Sequence, residues 1–135
     1  MIGMRTLLDT HAWVWWVNED RRLSGKAQAA IERSRRQDAL WLSLISVWEL
    51  AKKVEKGQIV LDRPLDDWLD SAMATPGLHG AELTRGILVD SCQLPQPFHG
   101  DPADQMIIAT ARHHGAAIVT KDRRIREYPH VRSIW

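Results

Sequence analysis

Arg5-Thr6-Leu7-Leu8-Asp9-Thr10-His11-Ala12-Trp13-Val14-Trp15-Trp16 is the stretch from which the fold can be read. Arg5 to Leu8 reads as a short buried strand, and an acid closes it. Asp9 or Thr10 then suits the N-cap of a helix running through Trp16, because a short polar side chain can accept from the open amides of a first turn. Trp13 and Trp16, three apart, share one face of that helix. A buried strand that passes directly into an apolar helix is the beginning of a βαβ unit.

The alternation continues outward from there. Ser24 caps a helix to about Arg36, with Ala27, Ala30 and Ile31 on its buried stripe. Leu40 to Leu42 is a short strand. Ser43 or Ser46 opens a helix through Val47, Leu50, Ala51 and Val54, and Gly57 ends it. Ile59 to Leu61 reads as extended, and Pro64 suits the first turn of a helix carrying Leu65, Trp68, Leu69 and Ala72. Thr75-Pro76-Gly77 is a turn, Ala81 to Leu83 a candidate strand, and Thr84 the cap of a short helix through Ile87 and Leu88. Leu94-Pro95-Gln96-Pro97 is the clearest loop. Asp101-Pro102 starts the best-marked helix, which carries Met106, Ile107, Ile108 and Ala111 and closes at His113, His114 and Gly115. Ala117 to Thr120 is a β-branched strand, Arg123 to Glu127 a helical turn, and Val131 to Trp135 a last strand. Short apolar strands alternating with helices predict an α/β fold with a parallel sheet.

The 135 residues suit one domain spanning 1–135, with 44% apolar and 26% charged residues as in ordinary globular chains. The single cysteine, Cys92, excludes an internal disulfide and fits a reducing cytoplasm. The longest strongly apolar run, Ala12 to Val17, is far too short to span a bilayer, and Met1 to Arg5 lacks a signal-peptide layout, with Met4 a second candidate start. A net charge of +1 provides no global field toward nucleic acid. Basic residues nevertheless cluster at Arg33, Arg35 and Arg36, at Lys52, Lys53 and Lys56, and at Lys121, Arg123, Arg124 and Arg126. Of the seven tryptophans, most suit core or interface anchoring, with base stacking open to one of them.

Four carboxylates fall where a strand ends or a helix begins: Asp9, Glu49, Asp104 and Asp122. Each also has a local explanation. Asp9 and Asp122 fit a cap and a turn, Ser46-Val47-Trp48-Glu49 matches a capping box, and Asp101 caps a helix whose third residue is Asp104. Jointly these explanations weaken. Asp104 sits one helical step from Ile107 and Ile108, and Glu49 stands among Trp48 and Leu50. Acids at the edge of a core are costly unless paired or bound to metal. Parallel sheets collect such residues beyond the carboxyl ends of their strands. A hard divalent cation such as Mg²⁺ or Mn²⁺ takes oxygen ligands of this kind, and a metal so held neutralises a phosphodiester oxygen and acidifies a bound water. Lys121, Arg123 or Arg124 could then hold neighbouring phosphates.

Leu7-Leu8-Asp9-Thr10-His11, Ser46-Val47-Trp48-Glu49-Leu50, His99-Gly100-Asp101-Pro102-Ala103-Asp104 and Val119-Thr120-Lys121-Asp122, in that order, resemble a PIN-domain ribonuclease, in particular a VapC-type toxin of a type II toxin–antitoxin module. The resemblance runs from Met4 to Trp135. It implies a three-layer α/β/α sandwich with a central, mainly parallel sheet. It implies Mg²⁺- or Mn²⁺-dependent endoribonuclease activity, with the metal-binding and catalytic acids on Asp9, Glu49, Asp104 and Asp122. Supporting hydroxyls fall on Thr10, Ser46 and Thr120. It also implies a homodimer, an RNA substrate for which transfer RNA is the family's precedent, and a small cognate antitoxin whose tail blocks the acidic pocket. The chain departs from many relatives at Ala103 and Gln105, where they carry an aromatic and an arginine.

Other classes fit less well. A receiver-type phosphoacceptor domain needs a second acid beside Asp9, where Thr10 and His11 stand. An aspartate-nucleophile phosphatase needs Asp-x-Asp, and His11 holds that third place. A binding module remains open if the acids only cap helices. The six histidines show no zinc spacing, although His11 and His99 are placed to lie near the acids.

Overall fold

The computed structural model describes residues 4–96 and 98–135. The opening residues 1–3 and Pro97 of the expected loop lie outside that description. Five parallel strands form one sheet in the order β3-β2-β1-β4-β5. They are β1 (Thr6–Leu8), β2 (Leu40–Ser43), β3 (Leu78–Ala81), β4 (Ala117–Val119) and β5 (Ser133–Ile134). The helices are α1 (Thr10–Val17), α2 (Gly25–Arg36), α3 (Ile45–Glu55), α4 (Leu65–Met73), α5 (Arg85–Ser91), α6 (Pro102–His114) and α7 (Arg123–Arg126). No helix among the described residues is long and apolar enough to cross a membrane.

Strand alternation divides the core into two layers. In β1, Leu8 joins Trp13, Ile31, Leu42, Leu50 and Trp68 on one face of the sheet, while Leu7 joins Ile107, Ile108, Ile118 and Ile125 on the other. Val119 and Ile118 of β4 divide in the same way. Both faces are therefore covered, which gives the expected α/β/α sandwich and explains why the central strands are apolar throughout. Trp13 is fully buried and meets Trp68 edge-on, ring centroids 5.1 Å apart. A buried apolar side chain of this size contributes about 1.5–3 kcal/mol.

Several local expectations shift. The third strand lies at Leu78–Ala81 rather than Ala81–Leu83. His79 and Gly80 have little strand preference of their own, but they pair in register with Trp41 and Leu42. The turn before it depends on Gly77 at φ +87°, where a Cβ would fall 2.1 Å from the Arg35 carbonyl oxygen. Ile59 to Leu61 forms no strand, and Val60 is 87% exposed. Pro64 is the N-cap of α4 rather than a residue of its first turn. The capping box at Ser46 does not form: Leu44 holds the N-cap of α3 without a side-chain cap, and Ser46 is buried inside the helix.

The chain builds outward from β1 to β2 and β3, then returns to place β4 on the other side of β1. This reversal of direction is a topological switch point, where the loops leaving two neighbouring strands diverge and open a crevice. The residues that leave those strands are Asp9 after β1 and Thr120-Lys121-Asp122 after β4.

A candidate metal-binding cleft

Asp9 caps α1, its Oδ1 accepting from the Ala12 amide at 2.7 Å, and it is only 7% exposed. Thr10 follows as the first helical residue, and its buried hydroxyl is bonded to Ser46 Oγ at 2.9 Å and donates to Glu49 Oε1. Ser46 thus leaves its expected cap and faces α1 instead, bonded to the Thr10 hydroxyl that holds Glu49. Asp122 caps the short α7, accepting from the Arg124 amide at 2.9 Å, while its own amide donates to Thr120 Oγ1 at 2.9 Å. Asp101 caps α6 by accepting from the Asp104 amide at 3.0 Å. The cap places Asp104 in the first turn, facing the crevice.

These elements enclose one cleft of about 530 Å³. Asp9, Glu49, Asp104 and Asp122 all line it, with Asp101, Thr10, His11, Trp15, Lys53, Ile107, Lys121 and Arg124 completing the wall. Ser46 and Thr120 are buried behind the wall. Arg123 is not in the cleft; it is 85% exposed and pairs with Glu127 at 2.7 Å. Lys53 and Trp15 are additions that the sequence reading missed. The signal was there: Lys53 is one turn past Glu49 and Trp15 one turn past His11, so each shares a helix face with a residue already placed near the site.

The electrostatics are those of carboxyl groups taken out of water, with neighbouring anions adding to the effect. Burial pushes Asp9 from 3.8 up to about 6, opposed by hydrogen bonds from Thr120 and Ala12 and reinforced by Glu49 and Asp122. Burial, then Asp101, Asp122 and Glu49, push Asp104 from 3.8 up to about 7. Glu49 is raised as well, by burial first, against the Thr10 hydrogen bond. Arg124 answers part of this charge, 3.4 Å from Asp122 Oδ2 and 3.7 Å from Asp104 Oδ2. His99 Nε2 lies 3.2 Å from the same Asp104 oxygen. Among the described residues no three acidic, histidine or cysteine side chains already stand close enough to hold an ion. Each acid is held by its own cap, hydroxyl or cation instead. The donor set, all carboxylate and hydroxyl oxygen, suits Mg²⁺ or Mn²⁺, ions that keep several waters and do not need an all-protein cage.

The sequence profile of the PIN domain matches residues 6–131. The chain belongs to the PIN-domain family. This PIN domain is 41% identical over 128 residues to Ribonuclease VapC22 of Mycobacterium tuberculosis, with 95% of each chain covered. Its fold matches that in the crystal structure of VapBC2 from Rickettsia felis bound to a promoter DNA fragment, with a TM-score of 0.71 at 16% identity, covering 96% of this chain and 97% of that one. It also matches a toxin-antitoxin complex from Klebsiella pneumoniae, with a TM-score of 0.64 at 22% identity over 93% and 94% of the two chains. The switch-point cleft of the PIN domain is thus where its acids meet.

Proposed function

We propose that this PIN domain is a metal-dependent endoribonuclease of the VapC type, acting in the cytoplasm as the toxin of a two-protein module. The observation that carries this reading is the convergence of Asp9, Glu49, Asp104 and Asp122, from four distant segments, on one cleft in which Asp9 and Asp104 are held far above ordinary carboxylates. Burial is the main cause of those shifts and repulsion among the acids adds to it; a divalent cation relieves both. The relationship to Ribonuclease VapC22 supports RNA as the substrate.

Asp9 and Asp104 would hold Mg²⁺ or Mn²⁺, with Glu49 and Asp122 joining directly or through water. Bound there, the ion supplies neutralisation of a nonbridging phosphate oxygen and acidification of a water. Thr10, backed by Ser46, aims the Glu49 carboxylate, and Thr120 supports Asp9 and the Asp122 backbone. Lys121 and Arg124 stand at the rim, where they would hold the flanking phosphates as positioning contacts. A small antitoxin covering the cleft and a homodimer complete the proposal, with transfer RNA as the first substrate to try.

The test is RNA cleavage by the purified chain after chelation and after return of Mg²⁺ or Mn²⁺, beside an Asp9→Asn/Asp104→Asn double variant. Cleavage should follow the metal and vanish in the variant. Full cleavage by the double variant means that the cleft is misassigned. Expression without a partner should arrest growth, and Asp104→Asn should relieve the arrest.

A further inference from the structure

We infer that Trp15 is a stacking platform on which one unpaired base of a single-stranded RNA rests beside the acidic cleft. This rests on the ribonuclease reading above and states how that site grips its substrate. Trp15 and Trp13 belong to the same helix but to different surroundings: Trp13 is fully buried, whereas Trp15 is half-buried and lines the cleft with the four acids. Two other rings brace it at an angle. His11 lies 5.8 Å away at 51° and Trp135 5.9 Å away at 60°, so neither stacks in parallel on the indole.

Two cations approach the ring itself. The Arg22 guanidinium carbon is 5.0 Å from its centroid and Lys121 Nζ 5.9 Å. Both side chains belong to exposed residues, and Lys121 sits on the loop that carries Asp122. Every nucleotide presents a flat π-face and an anionic phosphate, and this arrangement offers a counterpart to each. Base–aromatic stacking outweighs a cation–π contact at an exposed site. A base therefore displaces Lys121 from the ring and leaves it at the phosphate, while Arg22 stays anchored by its ion pair with Asp20 at 2.7 Å. Stacking of this kind ignores base identity, so the platform recognises an unstacked strand, such as a loop, rather than a duplex.

The test uses short 2′-O-methylated homopolymer strands, which a ribonuclease cannot cut, and an abasic strand of the same length, all in Mg²⁺. The wild type should bind base-bearing strands about 5- to 150-fold more tightly than the abasic one, the range that a single stacked base provides. Trp15→Leu, which stays apolar, should lose that preference, and Trp15→Phe should keep most of it. Equal binding of abasic and base-bearing strands by the wild type overturns the inference without any variant having to fold. Retention of the preference in Trp15→Leu overturns it too. If Trp15→Leu leaves strand binding unchanged and instead releases a co-purifying protein, the ring is a protein contact and the inference fails. Cleavage of unmodified RNA is scored separately: a base-dependent preference without cleavage upholds stacking and refutes only the nuclease reading.

Discussion

Replacing Asp9 with asparagine should stabilise the metal-free protein at pH 8. Asn keeps the acceptor that caps the Ala12 amide, and Asn and Asp are comparable at N-caps. What it removes is a buried negative charge among other acids. The rise of Asp9 from 3.8 to about 6 corresponds to about 3 kcal/mol between the protonation states. The folded protein holds more protons than the unfolded chain between those values. The Asp9 contribution to stability is therefore fully present below pH 3.8, is lost as pH climbs toward and through about 6, and is absent above it. Asp104 extends the decline toward pH 7. Relaxation of the neighbouring acids and the loss of the Thr120 bond to an anion take back part of the gain, leaving about 1–3 kcal/mol for Asp9→Asn at pH 8. A melting point higher by about 3–10 °C should result for a chain of this size. Thermal melts in chelator at pH 5 and pH 8 make the measurement. The variant's advantage should shrink at pH 5, and Mn²⁺ should stabilise the wild type far more than the variant. A variant that melts below the wild type at pH 8, or an advantage independent of pH, would refute the account of Asp9 as a strained anion.

Three further predictions follow from named contacts. Thr10→Val removes the hydroxyl that aims Glu49 and should weaken Mn²⁺ binding about 10- to 100-fold by calorimetric titration, with unchanged affinity ruling out the orienting role. Trp13→Ala empties a fully buried site against Trp68 and should cost about 3–5 kcal/mol in chemical denaturation; a loss below 1 kcal/mol would mean that the core rearranges around it. Lys121→Ala should weaken RNA binding equally across sequences and reduce the salt slope by about one, whereas a slope identical to the wild type would exclude a phosphate contact.

The parts of the fold that the sequence made legible are those governed by neighbours in the chain. Ser24, Thr84 and Asp101 cap the helices they precede, and Gly115 ends α6 in the left-handed conformation that glycine permits. Asp9 was readable because it directly follows an apolar strand, and Asp122 because it lies three residues past the end of another. The misreadings arise from contacts made across the chain. Leu78–Ala81 is a strand because β2 offers it a partner, and nothing in its own composition says so. Ser46-x-x-Glu49 matches a capping box, yet the partner of both side chains is Thr10, 36 and 39 residues away. Lys53 stood out only as one of a basic cluster, because its helix face could not be placed before Glu49 was.

The neighbour of β1 on its far side is β4, and that adjacency has a consequence for synthesis. The ribosome delivers β1, α1, β2 and α3 long before β4, yet Asp122 is tethered to β4 and the sheet has no wall on that side until it docks. A nascent or prematurely terminated chain that stops before Ala117 would carry Asp9, Glu49 and Asp104 but neither Asp122 nor the strand that walls the cleft on its side. A cleft so arranged is complete only once the last central strand slots in. Fragments ending before Ala117 should be tolerated in cells at any dose.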